Sequence, residues 1–299
     1  MNGSLALCGG ILHLARHART AEIRTYDLDG GRIGEGFRFA GCDGGAASAD
    51  GIAVDVDMRI WVADRTSKAL RRFTVFGAEL EPWRAASSED LPGHTGEPAS
   101  VAVVGVEGDA RVLVGTRGAR RHAVQWFDRD GRRLASLRSR GDPQAAFDDV
   151  VRVALDGRFA LVCEQGSGLV QVFRDGESHC ALRPPRARHA RRDSIPRAAH
   201  ALSDGRFVVA TGGEENSGVH LLDRNGRVRH TICHPGQGAA EVFEPCDIAI
   251  DEGDSDRRTR VAVVDSDGDR VQVFTLEGVC YGSFSDLPRA DGLLFEEAP

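Results

Sequence analysis

Residues 51–77, GIAVDVDMRIWVADRTSKALRRFTVFG, decide the fold. Ile52 and Val54 point one way and Ala53 and Asp55 the other, the period of two that a strand imposes on its side chains. A polar turn around Asp57 follows, then a second strand in RIWVAD. The loop from Arg65 to Lys68 leads to a third strand, ALRRFTVF, and a fourth is expected over Glu79 to Trp83. Such a meander is apolar on both faces and buries neither alone, so it requires copies of itself on each side.

The copies are present. Third strands recur as EIRTYDLDG, HAVQWFDRDG, LVQVFRDG, GVHLLDRNG and RVQVFTLEG, closing at Gly30, Gly131, Gly176, Gly226 and Gly278. With Gly77 these turns lie 45 to 54 residues apart. The Asp-Gly and Asn-Gly turns among them are strong hairpin signals, because both residues tolerate positive φ. First and second strands recur as SVAVVGVEGDARVLVGT, VVRVALDGRFALVCE, AAHALSDGRFVVAT and CDIAIDEGDSDRRTRVAVVD, with a shortened version, LALCGGILHLAR, at the amino terminus. Six units result, over about 4–39, 50–83, 99–137, 148–182, 198–232 and 246–284.

PCDIAID with VAVVDSDGDRVQVFTLEG, and GIAVDVDMRIWVAD in the second unit, resemble the NHL-repeat pattern of Pro-x-Gly-Ile-Ala-Val-Asp, a Val-Ala-Asp strand and Arg-Val-Gln-Val-Phe. The likeness covers about residues 4 to 290, closely in units two, four and six and loosely in the others. It implies an all-β, six-bladed β-propeller with four-stranded antiparallel blades around a central channel, in agreement with the repeat count. The 299 residues are expected to form one domain, residues 1–299, closed by packing between blades one and six.

Composition excludes several classes. The formal charge of −7 gives no general attraction to nucleic acid or anionic membranes. No run of about 18 apolar residues offers a membrane-spanning helix, and the first residues read as strands, so a cytoplasmic protein is expected. Seven cysteines without CxxC spacing read as reduced thiols. GxSxG, phosphate-loop and dinucleotide motifs are absent. Asp265, Asp267 and Asp269 space like the opening of a calcium loop, but Arg270 and Leu276 stand where that loop needs Gly and Glu.

In a propeller, loops entering inner strands and loops leaving second strands share the face around the channel mouth, where a ligand is expected. The candidates leaving second strands are Asp64, Arg65, Thr116, Arg117, Glu164, Thr211 and Asp265. Those entering inner strands are Asp50, Glu97, Asp149, Arg197, His200 and Asp247. The competing role for Asp64 and Asp265 is to cap turns. His200 and Arg152 replace the small Ala53, and such side chains either reach into a solvated channel or touch a ligand.

The segment RPPRARHARRDSIPR, residues 183–197, is the one compositional break, and its prolines argue against regular ladder pairing. Its arginines Arg183, Arg186, Arg188, Arg191 and Arg192 are candidates for pairing with a partner's acidic groups.

Three functions follow. The leading one is a non-catalytic scaffold that binds a protein or small polar ligand at the channel entrance, without a cofactor. The alternative is a metal-dependent hydrolase or lyase, resembling the propeller lactonases and peptidyl-hydroxyglycine lyases, with a divalent metal held across blades by His94, His200 and His234. RNA binding through residues 183–197 ranks below both, because that segment has no aromatic residue to stack on bases.

Overall fold

A computed structural model of the chain describes residues 3–17, 21–83, 97–105, 110–117, 123–141, 146–186, 190, 193–265 and 270–285. They form six sheets, each built from consecutive strands in the order inner, second, third, outer, and all antiparallel within that meander. The inner strands are Gly3–Cys8, Gly51–Val54, Glu97–Val104, Val150–Asp156, Ile195–Ala201 and Pro245–Asp251. Each packs against the next, and Pro245–Asp251 returns to Gly3–Cys8, which closes the ring. The fold is a six-bladed β-propeller. Blade five carries one strand more than expected, the two-residue Glu241–Val242, which pairs parallel to His234–Pro235. The only helical pieces among the described residues are two 3-10 turns, Ser139–Gly141 and Glu214–Asn216.

The alternation read from the sequence sets which neighbour each side chain meets. In the second strand of blade two, Ile60 and Val62 join Ala15, Ile23 and Phe39 of blade one, whereas Trp61 and Ala63 join Val112, Val114 and Phe127 of blade three. Six such clusters occupy the six interfaces between neighbouring blades. The closing interface is one of them: Leu5, Leu12 and Leu14 of blade one pack on Val264, Val271 and Val273 of blade six. Among the described residues no strand is exchanged across it. Burial of each such side chain contributes about 1.5–3 kcal/mol, which makes these interfaces the main source of stability.

The turns between third and outer strands all close at a glycine with φ between 76 and 91°. In blades one, three and five an aspartate braces that turn: Asp27, Asp128 and Asp223 each accept two backbone N–H groups through Oδ1. Glycine also permits a close approach near the axis. A Cβ on Gly51 would lie 2.7 Å from the Cα of Ser100, so glycine lets the inner strands of blades two and three meet.

An inner strand is a sheet edge, and its free N–H groups need partners. Neighbouring blades supply them. Leu5 N donates to Asp247 Oδ2 (2.8 Å), Ile52 N to Ser4 Oγ (3.1 Å), Val153 N to Ser100 Oγ (3.1 Å) and Ala201 N to Asp156 Oδ2 (2.8 Å).

Four inner strands slip register near their first residues, between Pro98 and Ser100, Val150 and Arg152, Pro196 and Ala198, and Pro245 and Asp247. Each slip inserts one residue into the inner strand, a bulge that changes which way the following side chains point. This corrects the reading of residues 183–197 as unpaired throughout. Ile195, Pro196 and Arg197 belong to the inner strand of blade five, and proline fits there because the strand is an edge and the position is a bulge.

Candidate functional site

The channel-entrance face holds the starts of inner strands and the ends of second strands. Asp64, Glu164 and Asp265, expected as ligand groups, are buried there and turned onto the protein's own backbone. Asp64 Oδ1 accepts from Ser48 N (3.0 Å), Ser48 Oγ (3.2 Å) and Ser67 N (3.0 Å), and its Oδ2 from Arg71 (3.3 Å). Asp265 accepts from Phe243 N (3.0 Å), Glu244 N (2.9 Å) and Arg270 (3.4 Å). Glu164 accepts from Asp148 N (2.6 Å) and from the Gln171 amide. Burial, opposed by these hydrogen bonds, leaves the Glu164 carboxyl above the usual carboxylate range. All three tie the end of a second strand to the segment leading into its blade's inner strand, and Asp64 also caps the turn that follows it, through Ser67 N.

The half-exposed groups form pairs. Arg65 Nε lies 3.2 Å from Asp50 Oδ1, Arg117 Nε lies 3.4 Å from Asp149 Oδ1, and Arg197 bonds Glu244. The side chains of Arg65 and Arg117 are 38% and 39% exposed, so these pairs stay in contact with water. The Arg197–Glu244 pair joins blade five to the segment that leads into blade six. One carboxylate oxygen, Asp50 Oδ2, and one guanidinium nitrogen, Arg197 Nε, are buried without a partner among the described residues.

Below the mouth Arg152 spans the channel. From blade four its guanidinium crosses to the far side and donates to Ser4 Oγ of blade one (3.0 Å), the Asp50 carbonyl of blade two (3.2 Å) and the Cys246 carbonyl of blade six (3.4 Å). It also lies 3.4 Å from Asp247 Oδ2, with side-chain exposures of 11% and 6%. Arg152 therefore meets acceptors of the protein itself, neither open solvent nor a free ligand position. Asp247 further accepts from Ser4 Oγ (2.9 Å), Leu5 N (2.8 Å) and Ile248 N (3.0 Å). Burial still raises its carboxyl above the usual range, against the lowering effect of Arg152 and these hydrogen bonds. Asp247 was expected at the mouth and Arg152 stood out as a large residue in a small one's place, whereas Ser4, their shared partner, was not foreseen.

His200 is corrected in place. Because the inner strand of blade five begins at Ile195, His200 is its penultimate residue and lies at the opposite, exit end, 2.6 Å from Asp156 Oδ1 through Nδ1. Of the imidazoles considered for a metal, His234 is exposed on the outer strand of blade five and His94 lies outside the described residues. Among the described residues no three His, Cys, Asp or Glu side chains gather as a metal site requires. Asp267 and Asp269 lie outside the described residues.

In the arginine segment, Arg183 is exposed. Arg186 donates to the Ala190 carbonyl (2.7 Å from Nη2) and lies 3.2 Å from Asp193, so it folds the segment back on itself. Arg188, Arg191 and Arg192 lie outside the described residues. No helix among the described residues is long and apolar enough to cross a membrane.

No family model matches the sequence, and neither does any curated protein. Solved structures similar to it include a nidogen/laminin complex, at 15% identity and a TM-score of 0.63 over 92% of this chain and 94% of that one. A streptogramin B lyase structure matches at 11% and 0.62 over 96% and 84%, and the WD40 β-propeller domain of Doa1 at 12% and 0.59 over 95% and 82%. What the chain shares with them at these identities is its fold, the β-propeller.

Proposed function

We propose that this protein is a non-catalytic scaffold of the NHL-repeat kind, whose channel-entrance face binds a protein or a small polar ligand. The observation that carries the reading is the set of partly exposed pairs at the mouth, Arg65–Asp50, Arg117–Asp149 and Arg197–Glu244, above a channel spanned by Arg152. A pair in contact with water on both sides, as Arg117–Asp149 is, contributes about 0–1 kcal/mol to stability, and the other two each keep one partner at least a quarter exposed. They are therefore free to exchange partners with a ligand's own charges at little cost to the fold, and a mixed ring of both signs suits a polar or charge-patterned surface. Seven free cysteines agree with a reducing, cytoplasmic setting.

The test compares proteins retained from a cytoplasmic extract by the wild-type chain and by Arg65→Gln/Arg117→Gln/Arg197→Gln. Partners lost by the triple variant and kept by His200→Gln, on the other face, support the reading; equal retention by all three proteins refutes it. The hydrolase or lyase reading predicts about one tightly held divalent ion per chain in elemental analysis and metal-dependent turnover of a lactone or α-hydroxyglycine substrate. Finding both would replace the scaffold reading.

A further inference from the structure

On the exit face, between blades four and five, lies a cavity of about 840 Å³ that the channel-entrance reading does not use. It is large enough for a small organic molecule. Its floor is apolar: Phe159 and Phe207 meet edge to face with ring centroids 5.9 Å apart. Its rim is charged, and most of the charges cancel in pairs. Arg158 bonds Asp175, Asp204 bonds Arg206 (2.6 Å), and Asp156 lies 2.6 Å from His200. The carboxylate of Glu252 reaches over from blade six and accepts from Ser203 N (3.0 Å) and Ser203 Oγ (2.5 Å).

Two guanidiniums are left over. Arg174 lies 6.0 Å above the Phe159 ring and Arg224 runs its stem over Gly205; both line the cavity, both are exposed, and neither forms an ion pair among the described residues. The lining carries three arginines, Arg158, Arg174 and Arg224, against three carboxylates, Asp156, Asp204 and Glu252, so its formal charge is zero with His200 neutral and +1 with it protonated, on a chain of net charge −7. His200 adds a conditional charge. Its Nδ1 is committed to Asp156, while Nε2 has no partner among the described residues and the ring is 23% exposed. Burial opposes protonation, but Asp156 and then Glu252 outweigh it and raise the imidazole above its ordinary value. His179, tilted against Phe159 with ring centroids 6.0 Å apart, is the other imidazole at the rim.

We infer that this cavity is a second ligand site, which takes a small organic anion, a carboxylate or phosphate ester with an aromatic or branched apolar body. The body lies against Phe159 and Phe207, Arg174 and Arg224 hold the anionic oxygens, and protonated His200 supplies a third donor.

Calorimetric titration of the full chain with phenyl phosphate and benzoate tests the site, with inorganic phosphate and benzyl alcohol as half-ligand controls. Saturable binding of both aromatic anions, tighter than either control, is expected. Arg174→Gln/Arg224→Gln should weaken it at least tenfold, whereas Arg183→Gln, an exposed arginine elsewhere, should leave it unchanged. Benzoate keeps its charge between pH 6 and 8, so its affinity should fall as His200 loses its proton and should be level with pH in His200→Gln. Absence of saturation up to roughly 10 mM ligand, or equal affinity in the double arginine variant, overturns the site. A pH dependence that survives His200→Gln overturns the role of the histidine.

Discussion

Replacing Arg152 by Met should cost about 3 kcal/mol of stability at neutral pH. The substitution keeps most of the apolar stem and removes the guanidinium, which holds Ser4, the carbonyls of Asp50 and Cys246, and the Asp247 carboxylate. Removing one partner of a buried ion pair typically costs about 3–5 kcal/mol, because the other charge is left uncompensated. Here the lower end applies, since Asp247 keeps its bonds to Ser4 Oγ, Leu5 N and Ile248 N. The deficit should depend on pH with a definite sign. The Asp247 carboxyl is already raised by burial, and loss of Arg152 raises it further. Between the unfolded and folded values the native state holds more protons, so stability rises as pH falls and the variant recovers part of its loss in mild acid. Urea unfolding of wild type, Arg152→Met, Asp247→Asn and the double variant, at pH 7 and at pH 5, measures this. The double variant should be less destabilised than the sum of the singles, by about 2 kcal/mol of coupling. A cost below about 1 kcal/mol for Arg152→Met, or additive single effects, would refute the view that the channel is held by this pair.

Further outcomes are expected. His13 and His220 are buried and neutral, each pushed down to about 4 by burial, with the His234 charge adding to the effect on His220. Their unfolded rings titrate near 6.5, so stability complete above that pH should be lost as pH falls towards 4, by on the order of 3 kcal/mol per ring. His13→Gln/His220→Gln should flatten the slope of unfolding free energy against pH over this range; an unchanged slope would assign the acid sensitivity elsewhere. Gly51→Ala would press a methyl group against the backbone of Ser100 and should cost about 1–3 kcal/mol, read as a lower urea midpoint with an unchanged m-value. If the whole chain is one domain, calorimetry should show a single transition for all six blades, and Leu14→Ala at the closing interface should lower it as a unit, by about 2–5 kcal/mol, without splitting it.

The blades were legible because they rest on local chemistry. Alternation in RIWVAD assigns Ile60 and Trp61 to opposite neighbours, and turns such as Asp-Arg-Asp-Gly at 128–131 announce the ends of third strands. The mouth was half legible. Arg65, Asp50, Arg117 and Asp149 were found by their places at strand ends, but which residue pairs with which depends on loop paths that periodicity does not encode. Glu244, the partner of Arg197, went unnoticed because it precedes a strand and has no pattern of its own. The channel was least legible. Arg152 and Ser4 are 148 residues apart, and their meeting is a property of the closed ring alone. His200 was misplaced for a local reason: a strand that begins at Ile195 and carries a proline at its second residue was read as starting three residues late, which exchanged its ends.

The extra residue at the head of four inner strands separates two sets of demands. Below it, each side chain is dictated by the blade on either side, and a change of phase would turn a core outward. At it, a side chain on the mouth such as Arg197, the extra residue of blade five, answers to no such rhythm. Residues there are open to rewriting without disturbing the stack beneath, much as the lettering on a keystone leaves the arch standing. A chain of this design is suited to acquiring new specificities at its mouth while every interface below keeps its fit.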